Sequence, residues 1–172
     1  RGTIAGAPQP ALLNISGIPS SFLILKAYLW WDISGWQNPA TVTLTNPNNV
    51  PFNYITQTVG TGPDKCWGYT GTVTFRQDVT NAITGNGNYF VSGLPTGLPN
   101  DVDGASLFII YRDLSNTSLG HISIYDGTVV SMGGSVTQNM NWLNICQNST
   151  TGNAFAIVAD AQNLGGNAVM NG

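Results

Sequence analysis

Alternation of hydrophobic and polar residues along the chain predicts a series of short strands. Residues 72–76 and 121–125 alternate with a period of two, and residues 40–45 do so with Val42 and Leu44 on one face and threonines on the other. Mostly apolar segments predict further strands. These lie at residues 22–31, 50–59, 89–91, 107–111 and 154–159.

Turn signals separate these segments, and the resulting series of strands predicts the fold class. The N-P-N-N run at 46–49, Asn86-Gly87 and Asp126-Gly127 predict turns. Asp78 is placed to cap one short helical turn at residues 79–83, and residues 107–111 predict a central strand. About eight to ten strands without alternating helices predict an all-β domain, a two-sheet sandwich of the Greek-key or jelly-roll-like kind.

The domain organisation predicted is a single β-sandwich over residues 21–172, preceded by an extended N-terminal tail over residues 1–20. The tail is apolar and small and carries three prolines. Its residues 11–18 predict a candidate donor strand, a segment able to complete the sheet of a neighbouring copy. The side chains assigned to that role are Leu12, Leu13, Ile15 and Ile18.

Charge is scarce along this chain, which narrows the function classes. Charged residues make up 8% of the 172 residues, against roughly 25% in ordinary soluble domains, and all eight acids are Asp. A net charge of −3 leaves no basic patch for nucleic acid or anionic lipid. No apolar run is long enough to span a bilayer, so membrane insertion is not expected. Weak self-repulsion favours self-assembly.

Cysteine usage and the first residue predict an exported protein. Cys66 and Cys146 predict one disulfide, worth roughly 4 to 5 kcal/mol in the chain-entropy model, and two buried free thiols are the alternative. The chain starts at Arg1 without a charged and apolar leader, so we expect a mature form or an excised fragment. An extracellular location follows. Three sequons give candidate glycan acceptors at Asn14, Asn116 and Asn148.

Catalytic chemistry is not predicted. His121 is the one histidine and no ligand spacing accompanies it, so a zinc site is not expected. It falls on the outward face of its predicted strand, which argues against a Ser-His-Asp triad. The aspartates are scattered, so no pair stands out for glycoside hydrolysis. Asp101 and Asp103, followed by Gly104, resemble part of a calcium loop, and an ordinary Asp/Gly loop is the alternative. We expect no other cofactor.

Five tryptophans suggest a binding surface for sugars as well as a core. Trp36 and Trp67 fall in predicted loops, where an indole could stack on a pyranose ring. Trp30 and Trp31 point to opposite sides of one strand, so one of them leaves the core unless something covers it. The alternative is that most of the five are core or loop anchors.

Five short motifs follow one another along the chain: KAYLWWD at 26–32, FRQDVT at 75–80, GNYFVSG at 87–93, GASLFIIYRD at 104–113 and IYDG at 124–127. In this order they resemble a β-sandwich domain of uncharacterised function found in secreted and surface-anchored, adhesin-like bacterial and archaeal proteins. The resemblance covers residues 26–127 and extends more loosely through 155–162 to 171–172. It implies an extracellular sandwich with no known enzymatic activity. In such domains the pattern continues into further strands, so an incomplete sandwich is expected here.

Two functions follow as hypotheses. The first is a structural subunit of a pilus-like cell-surface filament, assembled head to tail by strand donation, whose partners are other copies of itself. The second is a monomeric adhesive or glycan-binding module of a surface protein, with glycans or a host or cell surface as its partner.

Overall fold

A computed structural model describes residues 8–35, 41–55, 57–64, 68–96, 100–117, 120–130 and 137, without the side chain of Asp103. These residues form eight strands and one 3₁₀ turn, Thr80–Ala82. The strands are β1 (Ala11–Ile15), β2 (Phe22–Ser34), β3 (Thr41–Thr45), β4 (Pro51–Ile55), β5 (Gln57–Gly62), β6 (Thr72–Asp78), β7 (Gly87–Ser92) and β8 (Asp101–Asp113).

The strands make two four-stranded sheets. Sheet A has the order β1-β7-β3-β4 and sheet B the order β5-β6-β2-β8, and every pair is antiparallel. The prediction of an all-β, two-sheet fold with one short helical turn is confirmed. The segment predicted as an N-terminal tail contributes β1 to sheet A.

One hydrophobic core lies between the sheets. Trp31 of β2 stacks on Phe75 of β6 with ring centroids 5.5 Å apart. Val42 and Leu44 of β3 face them from sheet A and are fully buried, as their alternation predicts. Tyr89 of β7 joins the core with its hydroxyl satisfied, since it donates to the carbonyl of Gly85 at 2.8 Å. Side chains from both sheets therefore fill one interior.

Side chains fix the turns that the sequence predicts. The Asn46 carboxamide oxygen accepts from the backbone N–H of Asn48 and of Val50, both at 3.0 Å, and closes the β3–β4 hairpin. Asp78 holds the 3₁₀ turn, because its Oδ1 accepts from the backbone N–H of Thr80 at 3.0 Å. Asn46 is itself buried, so its side-chain amide satisfies backbone N–H groups that would otherwise need water as a partner.

Three predicted strands differ in the structure. Residues 50–59 contribute to two strands, β4 in sheet A and β5 in sheet B. The sequence pattern does not show this change of sheet, because side chains alternate in the same way in both strands. Residues 121–125 pair with no strand of the described chain. Ile122 is 55% exposed and Ile124 is 39% exposed, so the apolar positions of this alternation do not form a buried strand face. Residues 107–111 lie in β8, at an edge of sheet B as described rather than in its centre. Residues 154–159 fall outside the described residues.

Candidate assembly site

The first strand of the chain lies at an edge of sheet A. β1 runs antiparallel to β7, from the pair Ala11–Val91 to the pair Ile15–Gly87. Ala11 is buried, and Leu13 and Ile15 are partly buried against the core. The alternation of inward and outward side chains makes β1 a strand that docks through one apolar face.

Two side-chain amides hold β1 at its ends. Before the strand, Gln9 donates from Nε2 to the Leu94 carbonyl at 2.8 Å and accepts at Oε1 from the Leu94 N–H at 3.0 Å. After the strand, Asn86 donates from Nδ2 to the Ile18 carbonyl at 2.6 Å and accepts from the Ile18 N–H at 2.9 Å. We call these two pairs the amide clamps. Each reproduces the two-way pairing of a backbone ladder, so the hold on β1 extends beyond its strand residues.

The four residues predicted as donor-strand anchors differ in their surroundings. Leu13 and Ile15 of β1 pack against the core, and Ile18, three residues after the strand, is buried at 6% exposure. Leu12 points outward and is 50% exposed. Sequence reasoning therefore identified an extended segment with apolar side chains, and its role as a donor strand stays a prediction. It assigned neither clamp, because an amide that pairs with distant backbone leaves no periodic signal.

The outer face of sheet B carries an aromatic cluster. The ring centroid of Trp30 lies 5.3 Å from that of Tyr28 and 6.2 Å from that of Phe108. The Arg76 guanidinium lies 5.4 Å from the Tyr28 centroid. Trp30 and Trp31 do point to opposite sides of β2, and Trp30 is buried on the side away from the core. The side chains on the outer face of sheet B therefore form a packed layer separate from the core.

Residues 126–130 lie across this outer face, and we call them the strap. Asp126 forms an ion pair with Arg76, and the Thr128 hydroxyl lies 2.6 Å from that of Thr74. Glycines of β5 make room for the strap: a Cβ on Gly60 would lie 2.5 Å from the backbone nitrogen of Thr128. The strap is thus held by its side chains and by close backbone approach.

A carboxyl group is enclosed beneath the strap. Asp32 of β2 accepts a hydrogen bond from the hydroxyl of Thr74, which also contacts Thr128. Burial raises the pKa of the Asp32 carboxyl, and the hydrogen bond from Thr74 opposes that shift in part. Protonated Asp32 is therefore favoured in the folded chain relative to a solvated aspartate.

The remaining predicted site residues are dispersed. Asn14 is exposed on β1, where its Nδ2 donates to Asn88 Oδ1 at 2.7 Å, and Asn116 is exposed after β8. Asp101 begins β8, and Asp103 lies at a bulge in the β2–β8 register. In the described ranges no group of three or more His, Cys, Asp or Glu side chains could hold a metal ion. Five predicted residues lie outside those ranges: Cys66, Cys146, Asn148, Trp36 and Trp67.

Several connections between strands begin or end at one end of sheet B. Ser34, the last residue of β2, pairs with the first residues of both β8 and β6. Trp36 follows two residues after Ser34, and Trp67 lies in the connection between β5 and β6. Asn100 is at this end too, and its Oδ1 is buried without a hydrogen-bond partner among the described residues. We call this end of the sandwich the loop end.

Comparisons with known proteins give no family for the chain. No protein-family model, curated protein or solved structure matches it. Among the described residues no helix is long and apolar enough to cross a membrane.

Proposed function

We propose that this chain is a structural subunit of an extracellular filament, in which copies are joined head to tail by exchange of β1. One observation carries the proposal: β1 is an N-terminal edge strand that docks on β7 through a single apolar face. Such a strand can leave its own sheet and occupy the same groove of a neighbour, where it would make the same contacts.

The groove and the strand are suited to exchange. Without β1, the edge of β7 would present unpaired backbone groups together with the space that Ala11, Leu13 and Ile15 fill. The incoming strand of another copy would restore both the ladder and the two amide clamps. Exchange therefore changes which copy supplies the strand, with little change in the contacts made.

The link between β1 and β2 supports transfer to another molecule. Residues 19–21 join the clamped Ile18 to Phe22, and Ser20 and Ser21 are exposed. A short connection of this kind acts as a hinge for strand exchange. Because donor and groove are different surfaces, one-way exchange is heterologous and propagates into a chain of copies. The low charge of the protein adds little repulsion between them.

A cross-strand disulfide tests the exchange directly. Leu12 and Phe90 lie opposite each other in the β1–β7 pair, so the double variant Leu12→Cys/Phe90→Cys places two thiols across that ladder. In assembled material, exchange predicts a ladder of covalent oligomers on a non-reducing gel that collapses to monomer on reduction. The single variants Leu12→Cys and Phe90→Cys control for bonds to the two native cysteines.

The same experiment can overturn the proposal. Filaments in which residues 12 and 90 are linked only within one chain would exclude β1 exchange. Deletion of residues 1–18 should abolish filaments under electron microscopy, and unaltered filaments would contradict the proposal independently.

The loop end favours a second candidate function, an adhesive or glycan-binding module. Trp36 and Trp67 lie in connections that start there, and the Asn100 Oδ1 offers a hydrogen-bond acceptor to a ligand hydroxyl. Glycan-array binding that is lost in Trp36→Ala or Trp67→Ala, and retained in Ile55→Ala on β4, would support it. If the protein binds none of the glycans on the array, the glycan-binding function is contradicted.

A further inference from the structure

The four edge strands of the described sheets differ in how they are protected against pairing with another strand. β1 and β4 have five residues each and β5 has six. β4 begins with Pro51, β5 contains Gly60 and a register shift beside it, and β1 lies between Pro10 and Pro19. Short length, proline and bulges are the usual protections of a sheet edge. Three of the four edges therefore carry them.

β8 has none of these protections along its middle. It has 13 residues and pairs with β2 from Asp113–Phe22 to Asp101–Ser34, while no strand among the described residues covers its other edge. Its charged residues lie at its two ends, and residues 104–111 carry no charge. A long, uncharged, apolar edge is the kind that pairs with another strand.

Both faces of β8 are apolar, as in a strand with neighbours on each side. Leu107 and Ile109 pack against the core, and Phe108 contacts Trp30 on the outer face. All three side chains are only partly buried. A further strand beside β8 would extend both layers and cover them.

We infer that the partner of this edge is β8 of a second copy, paired antiparallel across a two-fold axis at Phe108. Antiparallel pairing lets one edge satisfy itself, and a two-fold axis perpendicular to the sheet keeps inner faces with inner faces. In this register Phe108 faces Phe108 of the second copy on the outer side. On the inner side, Leu107 lies opposite Ile109 of the second copy. Aromatic and aliphatic pairs of this type stabilise adjacent strands.

The charges at the ends of β8 fit the same register. Arg112 is exposed and lies on the outer face, opposite Gly104 of the second copy. The nearest outer-face acid beyond that glycine is Asp101, within reach of a long side chain on the diagonal. The two-fold axis forms this Arg112–Asp101 pair twice, once at each end of the interface.

This contact is separate from β1 exchange. β1 exchange would propagate along a filament, whereas a two-fold contact at β8 would tie filaments together in pairs. The two contacts can be tested independently. A β8 variant should leave single filaments intact, and a β1 variant should leave the β8 pair in the soluble chain.

Ser106→Lys tests the interface with one charge. Ser106 is opposite Ile110 of the second copy in this register, and a lysine there is a typical guard of a sheet edge. We expect the soluble chain to lose its dimer in sedimentation velocity, and its filaments to lie singly rather than in pairs under electron microscopy. The matched control is Ile55→Lys, which puts the same charge on the exposed edge strand β4 and should leave both unchanged.

Amide hydrogen exchange distinguishes a second copy from any other cover. Alternate amides of β8 bond to β2, and the others point to the open edge. If a second copy covers that edge, protection of the outward amides rises with protein concentration and disappears in Ser106→Lys. Protection independent of concentration and of the variant would mean that the chain covers its own edge, and would overturn the inference. Lack of protection at every concentration would overturn it as well.

Discussion

Gln9 and Leu94 form a two-way hydrogen-bonded pair between a side-chain amide and a backbone, at 2.8 and 3.0 Å, across 85 residues of sequence. Among the described residues, this pair holds the N-terminal end of β1 to the sandwich. It also satisfies a buried residue, since Leu94 is 4% exposed. Loss of the Gln9 side-chain amide should therefore lower the stability of the fold and weaken the attachment of β1.

Gln9→Ala should lower the free energy of unfolding by about 1 to 3 kcal/mol, because the buried Leu94 N–H and carbonyl lose their partner. Urea denaturation followed by fluorescence measures the change. Gln57→Ala, on the exposed surface of β5, is the control and should move the midpoint little. Equal midpoints for the two variants would contradict a structural role for this clamp.

Gly60→Ala should displace the strap from the outer face. A Cβ at this position would lie 2.5 Å from both the backbone nitrogen and the hydroxyl of Thr128, so backbone must move. We expect destabilisation by about 1 to 3 kcal/mol, as for other overpacked sites, and faster proteolysis near residue 128. Gly120→Ala has open space around the new Cβ and serves as the control. A Gly60→Ala protein with unchanged stability and protease pattern would exclude the close approach.

The Asp32 carboxyl should give the fold a pH dependence of known sign. Its pKa is raised in the folded chain by burial, so the folded state binds the proton more tightly than the unfolded state. Its contribution is fully present below the unfolded pKa and is lost as the pH rises from about 4 through the folded pKa. Asp32→Asn keeps an acceptor for Thr74 and should gain stability relative to the wild type over that interval. Denaturant midpoints at several pH values measure the difference.

Asp113 provides the control of opposite sign. Hydrogen bonds from the hydroxyl and backbone N–H of Ser115 lower the pKa of the Asp113 carboxyl, so its contribution is present at neutral pH and is lost as the pH falls. Asp113→Asn should therefore lose stability relative to the wild type as the pH rises. The same direction for both variants would refute the assignment for Asp32.

Leu44→Ala should lower the free energy of unfolding by about 2 to 5 kcal/mol, because Leu44 is fully buried between the sheets and its loss leaves a cavity. Ile55→Ala on the adjacent strand removes an aliphatic side chain that is 77% exposed, and should change stability by less than about 0.5 kcal/mol. Chemical denaturation of both variants gives the comparison. Similar losses would mean that Leu44 is not part of the core.

The sequence predicts the local parts of this fold well. The alternation in β3 places Val42 and Leu44 in the core, and the asparagine at position 46 predicts its turn, because both signals depend on neighbours within a few residues. The short helical turn after Asp78 follows from the same kind of local signal.

Sheet membership and the candidate site are harder to predict, since they depend on pairs that are distant in sequence. Nothing in residues 50–59 marks the change from sheet A to sheet B, and nothing near Gln9 points to Leu94. The apolar run in β8 predicts a central strand, yet β8 lies at an edge of the described sheet. A sequence records how apolar a strand is, and leaves open whether its neighbour belongs to the same molecule.

The pairing of β1 with β7 also sets an order of events during synthesis. β1 is made before β7 and must wait for it before it has this ladder partner in its own chain, and contacts of such long sequence separation form slowly. Throughout that delay an apolar segment is available to any molecule that already presents an empty groove. The rate at which new chains are delivered, relative to the rate at which each closes on itself, would then decide how much of the protein ends as monomer.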